Sequence, residues 1–230
     1  GESNAPAFGG LLVRNEVRTD VTAQVSHAVL QVVGDTRVRV DQLGYISARD
    51  QSEVEAGSLA LNVVIANNTV LGEAAARFTH SSLAATAGAG GAGDLSVETL
   101  NRSRIFADIA SEVSADNSVG VVLAFNSIGH TPRHLLDDPE AVAKANDAPA
   151  ERMLIEALVS DATLDLAGAF AVEASGTGSI LARVSSAALS IGVSKPSKKK
   201  EFKDQDDSRN ISIAPVIAIN RIGMDVLATV

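Results

Sequence analysis

The chain has 230 residues, 46% of them hydrophobic but only 3% aromatic, with no Trp, one Tyr and no Cys. A formal net charge of −9 excludes the concentrated positive charge that nucleic-acid binding needs. The absence of Cys excludes a disulfide framework, and no apolar run approaches the roughly 20 residues that span a bilayer. The length allows a substantial core, which must be drawn from Val, Ile, Leu and Ala and so suits thin, regular layers.

In chain order, the first clear strand signal follows Asn15. Val21, Ala23 and Val25 alternate with Thr22 and Gln24, the period of a half-buried strand. The phrase returns. Asn68 leads to Ala74, Ala76 and Phe78, and Asn220 to Val226, Ala228 and Val230, each strand beginning six residues after its Asn. Asn126 belongs to the same set, with its strand displaced to Ile155, Ala157 and Val159. A second column places Gly34-Asp35, Gly93-Asp94 and Gly168-Ala169 before alternating strands. A third repeats Ile-x-Ala at Ile46, Ile105 and Ile180, each Ile twelve residues after its Gly.

The Asn residues are separated by 53, 58 and 94 residues, and removing insertions of 23 and 18 residues from the last interval restores 53. The chain therefore reads as one repeat array with units 8–67, 68–125 and 126–219, inserted loops at 130–150 and 194–209, and a partial unit at 220–230. It opens on "GESNAPAF" without a Met and closes by restarting its first phrase, so it is expected to be a piece of a longer array.

A unit of a few short strands cannot bury its inward face alone, whereas stacked units bury a continuous core and pair every strand edge. The repeats thus predict an all-β fold, a parallel β-helix or β-solenoid. Two coils of roughly 26 residues per unit fit the usual solenoid scale, and one large coil is the other option. The runs 58–66, 119–124 and 211–219 are more uniformly apolar and are expected to be covered on both faces. The alternative architecture is a tandem of small β-sandwich domains, each below the ~100 residues of an immunoglobulin-like fold.

In the first insertion, Asp138, Pro139 and Glu140 form a helix start, with the helix running to about Lys144. Excursions of this kind from a rigid scaffold are where binding residues are often placed. The second insertion is a basic block, Lys195 to Lys203, followed by an acidic one, and reads as a solvated loop. Within it Asp204, Asp206, Ser208 and Asn210 alternate as in the first half of a calcium loop. The Gly expected at position 6 is Arg209, and the Glu expected at position 12 is Pro215. Calcium is the one metal this pattern suggests, and no other cofactor is expected.

His27, His80 and Asp161 occupy one repeat position and carry zinc-type donors. Two coils per unit would hold successive members on the order of 10 Å apart, so they read as a polar corner copied by duplication. His130 and His134 are four apart, but Pro132 between them opposes a helix. The glycine run at 88–93 lacks the preceding strand and following helix of a dinucleotide fingerprint and reads as a lengthened loop. No nucleophile or zincin motif occurs, and the chain is not expected to be an enzyme.

Ala124-Phe125-Asn126-Ser127-Ile128-Gly129 and Ala218-Ile219-Asn220-Arg221-Ile222-Gly223, with Gly93-Asp94-Leu95 and the Ile-x-Ala phrases, resemble the repeats of very large secreted bacterial proteins of the filamentous-haemagglutinin-like or giant adhesin type. The resemblance implies a secreted or cell-surface location and a structural or adhesive role, commonly with calcium dependence. The glycine-rich nonapeptide that carries calcium in related exported proteins is missing. The expected role is a stalk or contact surface whose partners are neighbouring repeats of the same chain and a cell-surface glycan or protein, with no nucleic acid and no membrane span. The alternative is a β-helical glycan-binding module or carbohydrate-active enzyme whose groove the inserted loops would line.

Overall fold

In the computed structural model, residues 5–130, 152–190 and 210–230 are described. Among them the fold is all-β. The first passage of the chain forms β1 (Ala7–Arg18), β2 (Val21–Ser26), β3 (Val29–Val33) and β4 (Thr36–Glu55). The second forms β5 (Leu59–Leu71), β6 (Glu73–Thr79), β7 (Ser82–Thr86) and β8 (Leu95–Ala115). The third forms β9 (Asn117–Ile128), β10 (Met153–Ser160), β11 (Thr163–Leu166) and β12 (Phe170–Ser190). The chain then continues through β13 (Ser212–Ile213), β14 (Val216–Ile222) and β15 (Met224–Thr229).

These strands build four sheets in which all pairing is parallel. Sheet I is β1-β5-β9 with β13 and β14 on β9, and sheet II is β2-β6-β10-β15. Sheet III is β3-β7-β11, and sheet IV is β4-β8-β12. Each passage visits the sheets in the order I, II, III, IV. A residue and its counterpart one unit later are therefore neighbours on adjacent strands, one layer apart. This settles the winding in favour of one large turn of chain per unit rather than two small ones.

The pairing follows the sequence columns. Asn15 lies beside Asn68, Asn68 beside Asn126 and Asn126 beside Asn220. Ile46, Ile105 and Ile180 are in register, as are Ala48, Ala107 and Ala182. The strand displaced to Ile155 pairs with Ala74 on one side and Val226 on the other.

Alternation decides which side chains face inward. Sheet IV runs back along the other three, and Ile46, Ile105 and Ile109 pack with Val64, Val122 and Ile155 of sheets I and II. At its other end Val38, Val40 and Val97 meet Phe78, Leu83 and Val159 of sheets II and III. The small inward alanines Ala74, Ala76 and Ala157 are fully buried in the same core cluster as Val40, Val97 and Phe78. Gly34 and Gly93 turn the chain from sheet III to sheet IV in left-handed conformations, φ +109° and +85°, which cost a residue with a Cβ about 1–2 kcal/mol.

The apolar runs stand differently from expectation. Leu61, Val63, Ile65, Val119, Val121 and Leu123 project from the outer face of sheet I and are half-buried, whereas their inward neighbours are buried. The insertion helix expected at Asp138–Lys144 lies outside the described residues. Among the described residues no helix is long and apolar enough to cross a membrane.

Candidate functional site

The most organised chemistry in the structure is a set of polar columns. Inside sheet I, Asn15 Nδ2 donates to Asn68 Oδ1 (2.8 Å), Asn68 Nδ2 to Asn126 Oδ1 (2.8 Å) and Asn126 Nδ2 to Asn220 Oδ1 (2.9 Å). Asn68 and Asn126 are 0% and 1% exposed, so their amides have no water to fall back on. An amide carries both donors and acceptors, which lets one residue type satisfy itself up the stack. That explains why the position is Asn in all four strands.

A second polar group reaches backbone atoms at the junction of sheets I and II and within sheet II. Gln42 of β4 donates to the carbonyl of Thr19 and accepts from Asn101 Nδ2 at 2.5 Å. Thr99 accepts from the Ala76 amide and donates to the Glu156 carbonyl, at 3.0 and 2.6 Å. The turn column behaves likewise: Asp35 Oδ1 accepts from the amides of Gly93 and Asp94 at 3.1 and 3.2 Å, and Asp94 Oδ1 from Ala169 at 2.6 Å. Sequence reading found the Gly-Asp phrase by spacing, but not that each Asp ties the turn of the next passage.

The corner between sheets II and III holds the His27, His80, Asp161 column. All three have left-handed backbones, φ 53°, 49° and 49°. The imidazoles stack with centroids 5.0 Å apart and planes 2° from parallel, and His80 Nε2 lies 3.3 Å from Asp161 Oδ2. The expected 10 Å separation is thus replaced by direct contact, because one turn of chain separates the copies instead of two. Parallel stacked rings direct their nitrogen lone pairs side by side rather than toward one point. Among the described residues no group of three His, Cys, Asp or Glu side chains could hold a metal ion. What the column shares is a positive φ, and it is a corner before it is a site.

Of the calcium-loop residues, Asp204, Asp206 and Ser208 lie outside the described residues, and Asn210 is exposed. His134 also lies outside them. His130 is packed against Gly223, and burial first, then the charges of Arg221 and Arg152, hold its pKa below the usual histidine range. The glycine run closes on itself through paired bonds between Gly88 and Gly91, a small excursion ahead of the Gly93-Asp94 turn.

The outer face of sheet IV mixes charged side chains with the exposed Leu43, Tyr45, Leu181 and Leu189, and its charges are cross-linked between strands. Arg102 makes a two-pronged contact with Asp41 at 2.8 and 2.9 Å, and Arg39 reaches Glu98 at 3.8 Å. On sheet II, Arg77 bridges Glu156 (2.6 Å) and Glu73 (2.7 Å), and these bonds, Glu156 first, raise its pKa further. One polar group stands apart: Asp50, 8% exposed, points inward from β4 with its Oδ2 unpartnered, and burial pushes its carboxyl above the usual range.

Comparison with protein-family models, with curated proteins and with solved structures finds no match for this chain.

Proposed function

We propose that the chain is a parallel β-solenoid segment of an exported bacterial surface protein, acting as a stalk or contact surface rather than as an enzyme. The observation that carries the reading is the four-residue Asn ladder, in which side chains 53, 58 and 94 residues apart in sequence bond head to tail. Such a column suits an element whose task is to stack uniformly, since each layer contacts only its neighbours and length can be added without redesign. The ion pairs between strands on the outer face of sheet IV support a solvated outer surface. The adhesin-type phrases around Asn126 and Asn220 support export.

The test is to probe intact cells of the organism that encodes the chain with an antibody raised against it, and to compare attachment of those cells with and without the segment. Labelling without permeabilisation and weakened attachment on deletion are expected. Labelling only after permeabilisation would overturn the reading.

A further inference from the structure

The outer face of sheet I differs from those of sheets II and IV. Leu61, Val63 and Ile65 of β5 point outward beside Val119, Val121 and Leu123 of β9, all six half-buried. By register the same rows continue through Phe8 and Leu12 in β1 and through Ile217 in β14. Both β5 and β9 are paired on each edge, so the apolar rows belong to the repeating layer itself and run along the stacking direction. Charge enters only past them, at Arg14, Glu16 and Arg221. The outer faces of sheets II and IV instead carry ion pairs between strands.

Among the described residues, the strands packed broadly against sheet I are those of sheet IV, on its inner side. Three outward rows, each two residues of ~3.3 Å rise, across four strands ~4.8 Å apart make a patch about 20 Å by 19 Å, on the order of 400 Å². Patches of this size are the largest that a typical monomer exposes and are often functional.

A second copy of the same face is the occupant that this surface suits. An isologous contact lays a surface on itself, so a charged face repels its copy, and these rows carry no charge. Their relief is a grid, with the strand spacing in one direction and the two-residue spacing in the other. Another such sheet repeats both spacings and packs face to face about 10 Å away. A lipid surface suits it less, because the chain carries a net charge of −9, the sign that anionic leaflets repel. A two-fold axis parallel to the stacking direction sets each layer opposite its own copy, so the contact lengthens with every layer added. About 400 Å² per copy is half the ~800 Å² of a stable interface. Four strands should therefore pair weakly, and an array with twice as many layers reaches the stable size.

We propose that two copies of this chain associate side by side, the outer face of sheet I of one against that of the other, so that the solenoid works as a paired rod. The proposal goes beyond the stalk reading and does not depend on it, since it needs only this chain.

Sedimentation equilibrium of the full 230-residue chain from micromolar to millimolar concentration tests it. The mass should rise from the 23.6 kDa of one chain toward twice that value. Val63→Lys with Val121→Lys charges both central strands on the outside without touching the core, and should hold the chain at the monomer mass. Should that variant fail to fold by circular dichroism, Val63→Thr with Val121→Thr keeps the branched shape and should weaken association by about tenfold or more. Leu181→Lys with Leu189→Lys, on the outer face of sheet IV, should leave association unchanged. A wild-type monomer throughout the range would overturn the proposal, as would association indifferent to the charges on sheet I or equally lost with those on sheet IV. Association that begins only once the inserted loop at 130–150 is removed would also overturn it, by assigning the cover of this face to the chain itself. Flotation with phosphatidylcholine vesicles in place of self-association would overturn it in favour of lipid.

Discussion

Replacing Asn68 by Ala removes one link from the middle of the ladder. Two hydrogen bonds are lost: the buried Asn126 Oδ1 that accepted from Asn68 is stranded, and the half-buried Asn15 Nδ2 loses its acceptor. Stranding the buried group costs about 1–3 kcal/mol, and losing a bond whose partner can turn to water costs about 1 kcal/mol. Asn15 sits in the edge strand and recovers part of its loss from water, so the total should be about 2–4 kcal/mol. Asn220→Ala gives the reference, because Asn220 is exposed and takes part in a single ladder bond; its cost should stay near 1 kcal/mol. Urea denaturation followed by circular dichroism measures both, with an unchanged m-value showing that the same surface unfolds. Equal costs at the two positions would refute the ladder as a source of stability and leave the Asn column a coincidence of duplication.

Asp50→Asn should raise stability at neutral pH, because the amide keeps the shape of the side chain and removes the charge whose burial lifts the carboxyl pKa. Its pKa is raised in the folded state, so wild-type stability from this group is greatest below the ordinary carboxylate pKa and is lost as pH rises through the raised value. The gap between variant and wild type should therefore widen from pH 3 to pH 7, and a constant gap in paired urea titrations would contradict the burial of the ionised form. Ala76→Leu and Ala157→Leu, at fully buried positions, should overpack the thin layer and cost about 1–3 kcal/mol. Ala23→Leu, half-buried in an edge strand, should cost less, and thermal melts of the three variants give the order directly.

Much of the register was legible in the sequence because the chain repeats its own signals. Asn15, Asn68, Asn126 and Asn220, and the Gly-to-Ile interval of twelve residues, place strands in columns without any knowledge of the fold. Spacing alone did not say whether a unit closes in one turn or two. That depends on β4, β8 and β12 running unbroken for 20 residues or more. The consequence was felt at His27 and His80, placed far apart by one winding and in contact by the other. Asp50 was invisible for a related reason. Its burial follows from lying in a column with Ile109 and Val184, and β4 read alone is merely a strand rich in charge. The outer apolar face of sheet I shows the limit of reading uniformly apolar strands as doubly covered, since half-buried Ile65 and Leu123 carry the same sequence signal as fully buried side chains.

The winding itself is open to one direct measurement. The chain has no Cys, so a pair introduced as Gln51→Cys and Ala110→Cys is the sole candidate for a disulfide. These positions pair in register on β4 and β8, a strand spacing of about 4.8 Å that lies within the Cα range a disulfide tolerates. Two turns per unit would hold them roughly 10 Å apart, beyond that range. Rapid, near-complete oxidation of this pair is predicted, together with none for Gln51→Cys with Ser185→Cys, two strands apart through Ala110. A Gln51–Ala110 pair that stays reduced in the folded protein would contradict a single turn of chain per unit.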